Sequence, residues 1–165
     1  MPEVIFDSCV LSNFALMEGM HILKKLYAGR ACTTDFVRLE ILKGIHSGHE
    51  KLAEINQAIK DGWLEERAFK SRREKAIFEK LSTSLGSGEA SCIAIAHSRG
   101  YLFASDDRAA REEASVLTVK ITGTIGILLR GIKKKVIDLN EGERLLKLMI
   151  KAGFFSPIRS LREIA

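Results

Sequence analysis

The sequence predicts an α/β fold with a central parallel β-sheet, on the evidence of two apolar stretches and the order of the elements around them. "EVIF" (3–6) and "YLFAS" (101–105) are continuous apolar runs without polar alternation. Such runs are typical of parallel strands covered by helices on both faces. The segments between them are mostly helical in pattern, and alternation of strands with helices favours a layered α/β architecture.

The remaining elements follow in chain order. "SCVLSNFALM" after Asp7 reads as a helix, "RACTT" (30–34) as a further strand, and "DFVRLEILKGIHSG" (35–48) as a helix with a buried face. Two amphipathic segments ended by glycine, 49–62 and 70–86, predict helices that could form a protruding hairpin, with a weaker strand pattern at 63–69 between them. "GEASCIAIAHSRG" (88–100) is apolar nearly all round, which indicates a helix inside the protein. A strand at 117–122 and two final helices complete the prediction.

Length and composition predict a single globular domain spanning residues 1–165. Of these residues 46% are hydrophobic and 28% charged, which is the ordinary balance of a folded domain. No apolar run approaches the roughly 20 residues of a membrane span, and "MPEVIFDSCV" lacks the features of a signal peptide. We therefore expect a cytoplasmic protein that does not enter a membrane.

The cysteines and the charge distribution are less specific. Cys9, Cys32 and Cys92 are scattered without a CxxC pair, which favours buried free thiols over disulfides or a zinc site. The net charge is +5, with basic clusters at 70–75 and 130–135. These clusters either attract a polyanion or are solvated faces of helices.

Three acidic residues stand where predicted strands end. Asp7 follows the first strand, and Asp106 with Asp107 follow "YLFAS". Binding sites of open parallel sheets form beyond these carboxyl ends. The alternative is a structural role, with Asp7 capping the next helix and Asp106 capping "RAAREEA". One acid suffices as a cap, so the second acid of the pair needs another explanation.

Two glutamates also occupy unusual positions. Glu40 lies on the same side of its helix as Phe36 and Val37, so its carboxylate needs a partner there or pairs with Lys43 at the edge of the apolar stripe. Glu89 opens the apolar helix, where its alternative role is to interact favourably with the helix dipole.

Several carboxylates at the end of one sheet repel each other unless a cation lies between them. Oxygen ligands suit Mg²⁺ or Mn²⁺, and an acidic site of this kind indicates chemistry on phosphates. The four histidines show no metal-ligand spacing with each other.

The motifs "VIFDS", "VRLEI", "LGSGEASCIAIA", "SDDRAAR" and "ITGTIGILL", in this order, resemble the PIN-domain ribonucleases, specifically a prokaryotic subgroup related to the VapC-like toxins. The similarity runs from residue 4 to at least residue 131, and "KAGFFSPIRSLREI" resembles that subgroup's tail. The resemblance implies a three-layer α/β/α fold, an acidic pocket that binds Mg²⁺ or Mn²⁺, and cleavage of RNA. It also implies a homodimer and a small antitoxin protein as partner.

The resemblance also assigns roles to the acidic residues. Asp7 matches the family's first-strand aspartate, Glu40 the acid on the following helix, and Glu89 and Asp106 the third and fourth acidic positions. Asp107 matches an additional acid often found beside the fourth, and Ser8 the small hydroxyl residue after the first. Two departures stand out: Glu89 replaces a shorter aspartate, and Cys9-Val10 stand where the subgroup tends to have serine and proline.

The sequence therefore predicts a metal-dependent endoribonuclease, the toxin component of a toxin–antitoxin pair, with Asp7, Glu40, Glu89, Asp106 and Asp107 as metal ligands and catalytic residues. Arg108 and Arg111, one turn apart, either bind RNA phosphates or pair with acids of their own helix. The alternative function is a PIN fold without catalysis that binds RNA or a protein. A phosphoacceptor receiver domain fits poorly, since "VIFDSC" offers one acid and "ITGTIG" no lysine.

Overall fold

A computed structural model describes residues 1–165 and contains a five-stranded β-sheet flanked by helices. The strands are β1 (Val4–Phe6), β2 (Ala31–Thr34), β3 (Leu64–Arg67), β4 (Leu102–Ala104) and β5 (Ile121–Thr122). The helices are α1 (Ser8–Leu16), α2 (Met20–Tyr27), α3 (Asp35–His46), α4 (Ala53–Lys60), α5 (Arg72–Leu81), α6 (Ser87–Arg99), α7 (Arg108–Val116), α8 (Thr124–Lys133) and α9 (Leu139–Lys151). Short 3₁₀ turns lie at Glu50–Leu52 and Leu161–Glu163.

The sheet has the strand order β3-β2-β1-β4-β5, and every pairing is parallel. The predicted α/β class and its parallel sheet are thus confirmed. Ile5 of the central strand aligns with Cys32 on one side and Phe103 on the other. The chain runs outward from β1 to β3 and then returns to β4 on the opposite side of β1. The strand order therefore reverses between β1 and β4, which is where open α/β sheets form their binding crevice.

The reversal of strand order also distributes the helices between the two faces. Because parallel crossovers are right-handed, α1–α4 cover one face and α5–α7 cover the other. Within each layer α3 packs with α4, α5 with α6 and α6 with α7, while α8 packs on α2 and α9. The two layers also meet where α3 contacts the start of α6. Buried Ile5 and Phe103 lie between these layers.

Most of the predicted elements are confirmed, including the strands at 30–34 and 63–69 and the inner helix, in which every residue from Ala90 to Ala96 is buried. The predicted protruding hairpin is wrong, because β3 separates α4 from α5 and pairs with β2. The predicted strand at 117–122 is also too long. Leu117 and Val119 donate their amides to Glu113 and Ala114, so the first half of that segment closes α7.

None of the helices is long and apolar enough to cross a membrane. The expectation that all three cysteines are buried is wrong for one of them. Cys32 and Cys92 are buried, whereas Cys9 is exposed beside the carboxyl edge of the sheet.

Candidate active site

The crevice between the carboxyl ends of β1 and β4 gathers the acidic residues that the sequence singles out. Asp7 follows β1 directly, and Asp106 and Asp107 follow β4 after the buried Ser105. Glu40 on α3 and Glu89 in the first turn of α6 approach the same edge. The prediction that these strand ends place acids together is therefore supported by the topology.

Asp7 is the most deeply buried acid of the group, with 1% of its surface exposed. Its Oδ1 accepts a hydrogen bond of 2.9 Å from the Val10 amide, so Asp7 caps α1 as the structural alternative predicted. Its Oδ2, however, is buried and has no hydrogen-bond partner. A buried carboxylate oxygen without a partner is costly, and native proteins retain such groups mainly at functional sites.

The pKa of Asp7 is raised to about 7, first because burial disfavours the charged carboxylate and further because Asp106 and Glu89 repel it. The Val10 amide and the nearby Ser105 hydroxyl act in the opposite direction, since they favour the ionised form, although neither forms a hydrogen bond to Oδ2. Asp7 thus lies in the negative field of the other acids, and a nearby cation would relieve both the repulsion and the unmet hydrogen bond.

Asp106 is held by the start of α8. Its Oδ1 accepts from the Thr124 amide at 2.9 Å, and its Oδ2 accepts from the Thr124 hydroxyl at 2.5 Å and from the Asn13 side-chain amide at 3.2 Å. Gly123, the N-cap residue of α8, lies close to Asp106, and a Cβ atom on Gly123 would be 2.5 Å from Asp106 Oδ1. The glycine in "TGTIG" is therefore required by the close approach of Asp106.

Asp107 caps α7, the role that the structural alternative gave to Asp106. Its Oδ2 accepts from the Ala110 amide at 2.8 Å at the start of α7, while its own amide donates to the Ser105 hydroxyl at 3.1 Å. The structural alternative in which Asp106 caps this helix is wrong, because Asp106 reaches α8 instead. The paired acids thus serve two different helices.

Glu40 does not pair with Lys43. Its Oε2 accepts from the Ser8 hydroxyl at 2.6 Å and its Oε1 from the Gly88 amide at 3.0 Å. Gly86, the N-cap residue of α6, has no side chain to satisfy that amide, so Glu40 supplies the acceptor from another helix. A Cβ on Gly88 would lie 2.9 Å from the Glu40 carboxyl carbon, which explains a glycine here.

Glu89 lies one residue beyond this contact and is half-buried. Its pKa is raised to about 6, first by burial and then by the negative charges of Asp107 and Glu40. No side chain donates a hydrogen bond to Glu89, although the backbone of Gly86 does favour its charged form. Its carboxylate is thus the least committed of the five.

All five acids share one feature: each lies at or contacts the amino end of a helix. Asp7 and Asp107 cap their own helices, Asp106 and Glu40 cap helices that begin with glycine, and Glu89 occupies a first turn. The positive ends of four helix dipoles therefore meet this crevice and offset part of the repulsion among the carboxylates.

The donor atoms fit a hard divalent cation, since carboxylate oxygens are its preferred ligands and Asp7 Oδ2 is left unpaired. No three or more His, Cys, Asp or Glu side chains are arranged closely enough to hold a metal ion. The carboxylates repel each other, which raises the pKa values of Asp7 and Glu89. Several of the carboxylate oxygens nevertheless accept hydrogen bonds from backbone amides at the starts of helices. Binding of a cation would therefore need modest rotation of these side chains.

The neighbouring cysteine and arginines have distinct roles. Although the Cys9 side chain is partly exposed, the pKa of its thiol is raised to about 12, first by desolvation and then by the surrounding carboxylates, which disfavours the thiolate in the metal-free protein. Arg108 pairs with Glu112 at 3.0 Å, as its structural alternative predicted. Arg111 instead donates to the carbonyls of Ser105 and Thr122, at 2.7 and 3.1 Å, and joins the ends of β4 and β5.

Two residues of the site, Asn13 and Thr124, were not singled out by the sequence. The Asn13 side-chain amide donates to Asp106 Oδ2 and also to the Thr124 hydroxyl, at 3.1 Å. The available signal was a lone amide between apolar residues of "VLSNFAL". Thr124 carried no signal beyond its position after a glycine, where a hydroxyl often begins a helix.

The fold and the site define a class of protein, namely a parallel α/β protein with an acidic pocket at the point where the strand order reverses. A family model described as "PIN domain" matches residues 3–165, and the chain belongs to this family. The predicted membership is thus confirmed at the level of the family. No curated protein and no solved structure matches the chain significantly. PIN domains are usually nucleases and generally use divalent metals.

Proposed function

We propose that this protein is a Mg²⁺- or Mn²⁺-dependent endoribonuclease of a prokaryotic PIN subgroup related to the VapC-like toxins, active as the toxin of a toxin–antitoxin pair. The observation that carries the proposal is the buried, unpaired Oδ2 of Asp7 in a crevice shared with four other acids. The cap on α1 uses only Oδ1, and native proteins retain a buried polar atom without a partner, such as Oδ2, mainly at functional sites.

Each acid has a distinct task in this proposal. Asp7, Asp106 and Asp107 hold the cation, with Asn13 and Thr124 fixing the orientation of Asp106. Glu40 sets the position of α6 and so of Glu89, and it adds a ligand directly or through water. When bound, the cation supplies positive charge for the phosphate and acidifies a water molecule.

Glu89 is the residue left to accept a proton. Hydrolysis of a phosphodiester needs a water molecule deprotonated opposite the departing oxygen. With a pKa of about 6, the Glu89 carboxylate is mostly ionised at neutral pH and remains basic enough to take a proton from that water. Arg111, fixed by two backbone carbonyls, is oriented to contact a phosphate.

The setting and partners proposed here rest on the resemblance: a single domain of residues 1–165, a cytoplasmic location, a homodimer and an antitoxin protein. Exposed apolar side chains support a protein partner, among them Leu39 and Val116. Light scattering across a concentration series tests the dimer, and a fixed monomer mass would contradict it.

A second candidate is a PIN fold that binds RNA or protein without cutting. It is favoured by the absence of a ready three-residue metal cluster and by the commitment of Asp106 and Glu40 to helix amides. In this case the acids would serve mainly to hold the helix ends together.

The experiment is a cleavage assay on a mixed pool of labelled RNAs, with Mg²⁺, with Mn²⁺ and with EDTA. Asp7→Asn and Asp106→Asn test the site, and Asp138→Asn is the matched control because this exposed acid caps α9 far from the crevice. Cutting that requires the metal and is lost only in the two site variants supports the ribonuclease. Purified protein that binds metal and cuts nothing favours the second candidate.

A further inference from the structure

Phe155 is an aromatic side chain in an unusual place, since 98% of its surface is exposed although it lies beside the acidic crevice. Three adjoining cavities border it, and each of the three also reaches Asp106. The exposed phenyl ring contributes nothing to the core. Its position at the shared rim of these cavities indicates a contact with a ligand.

The cavity on one side of Phe155 is largely apolar. It has a volume of about 360 Å³ and is lined by Leu16, Met17, Met149 and Phe154, together with Asp106 and Asp107. This volume lies in the range of small-molecule binding sites and accommodates a planar ring system. A largely apolar recess suits a group that is flat and apolar on its faces.

A second cavity bordered by Phe155 contains two arginines and two acids, Arg108, Arg111, Asp106 and Glu112. Arg108 is paired with Glu112, which leaves Arg111 as the arginine without a salt bridge. Arg111 forms no salt bridge, and only its Nη1 atom is engaged by backbone carbonyls, so the rest of its guanidinium is available. A stiff, unpaired guanidinium beside an exposed aromatic ring is suited to a phosphate next to a planar base.

We propose that Phe155 is a base-stacking residue for single-stranded RNA, with Arg111 contacting the adjacent phosphate and the stacked base extending over the apolar recess. The inference rests on the proposed function, because it places a nucleotide of the substrate beside the acidic crevice. The guanidinium of Arg111, which forms no salt bridge, favours RNA over an apolar protein segment, which would need no guanidinium at this edge. Since every base has a stackable face, the subsite is tolerant of sequence.

The test is fluorescence anisotropy with a labelled single-stranded RNA and its duplex, in the Asp7→Asn background with Mg²⁺ so that the RNA stays intact. Phe155→Ala should weaken single-strand binding by roughly 5- to 100-fold, and Phe155→Trp should preserve it. Duplex binding should change little, because its bases are already stacked. Ile164→Ala is the matched control, since this exposed apolar side chain lies away from the three cavities.

Equal affinity of Phe155→Ala and its parent for the single strand overturns the inference, as does equal weakening for single strand and duplex. Melting curves of each variant exclude a folding defect. The outcome is separable from that of the ribonuclease proposal. Phe155-dependent binding without cleavage by the unmodified protein supports the stacking subsite alone, and cleavage with Phe155-independent binding leaves the recess to a protein partner.

Discussion

At Asp7 one carboxylate oxygen caps α1 and the other is buried without a partner. Because the pKa of Asp7 is raised to about 7, the folded protein binds this proton more tightly than the unfolded chain, whose aspartates titrate near 4. The associated stability is fully present below about pH 4 and is lost as the pH rises through about 7. The metal-free protein therefore carries an ionised, destabilising Asp7 above neutral pH.

Asp7→Asn should for this reason stabilise the metal-free protein at about pH 8, by about 1 to 3 kcal/mol, and change it little at about pH 4. The asparagine oxygen can still accept from the Val10 amide, so the cap is kept. Urea unfolding in EDTA across this pH range measures the difference. Asp138→Asn, the same change at an exposed cap, should show no such gain. A destabilised Asp7→Asn variant at pH 8 would contradict the prediction.

A substitution at Thr124 tests the role of Asp106 in metal binding. The buried Thr124 side chain donates its hydroxyl to Asp106 Oδ2. Thr124→Val removes this donor and keeps the backbone amide that holds Oδ1. We expect metal affinity to fall by about 10- to 100-fold, as for other partners of metal ligands, with little loss of fold. Calorimetric titration with Mn²⁺ measures it, and Thr83→Val in an exposed turn is the control. Unchanged affinity would show that Asp106 does not bind the metal.

The role of each acidic residue could be predicted only in part from its neighbours in the sequence. Asp7 as a cap follows from its place before "SCVL", a local relation within three residues. The division of roles between Asp106 and Asp107 does not, because Asp106 bonds a residue 18 positions away. Asn13 has partners 93 and 111 positions away. Local patterns carry no information about contacts at such separations.

At the scale of elements, the helices that begin with glycine show how the site and the fold depend on each other. Gly86 and Gly123 precede α6 and α8 and have no capping side chain. The missing acceptors come from Glu40 and Asp106, which belong to other elements. At these two helices the glycine N-cap depends on an acceptor that comes from elsewhere in the chain.

Glu40→Ala should destabilise the protein by about 1 kcal/mol, because the Gly88 amide at the start of α6 loses its acceptor. Glu40→Gln should retain most of this stability through its amide oxygen. Chemical denaturation gives the change, and hydrogen exchange of the first amides of α6 locates it. Glu54→Ala on α4 serves as control, since this exposed glutamate is in the first turn of its helix. Equal losses for the two alanine variants would refute a specific capping role.

The limits of element prediction have equally physical causes. β1 and β4 could be predicted from their continuous apolar runs. These runs are apolar because helices cover both faces of the sheet there. "LTVKIT" has the same composition, yet Leu117 and Val119 close α7 and only Ile121 and Thr122 join the sheet. Tertiary closure of the preceding helix there overrides the intrinsic preference of the residues for strand.

For the whole molecule, the strand order places the acids of distant segments at one crevice, and a cation bound there should stabilise the folded state. At a Mg²⁺ or Mn²⁺ concentration about 100 times its dissociation constant, the gain is about 2.7 kcal/mol, or roughly 5 to 10 °C in melting temperature. The shift should be smaller at about pH 6 than at about pH 8, because protons compete for Asp7 and Glu89, whose pKa values are raised to about 7 and about 6. Thermal melts with and without EDTA measure it. Asp7→Asn should lose most of the shift and Asp138→Asn none, whereas a shift of equal size in Asp7→Asn would place the cation elsewhere.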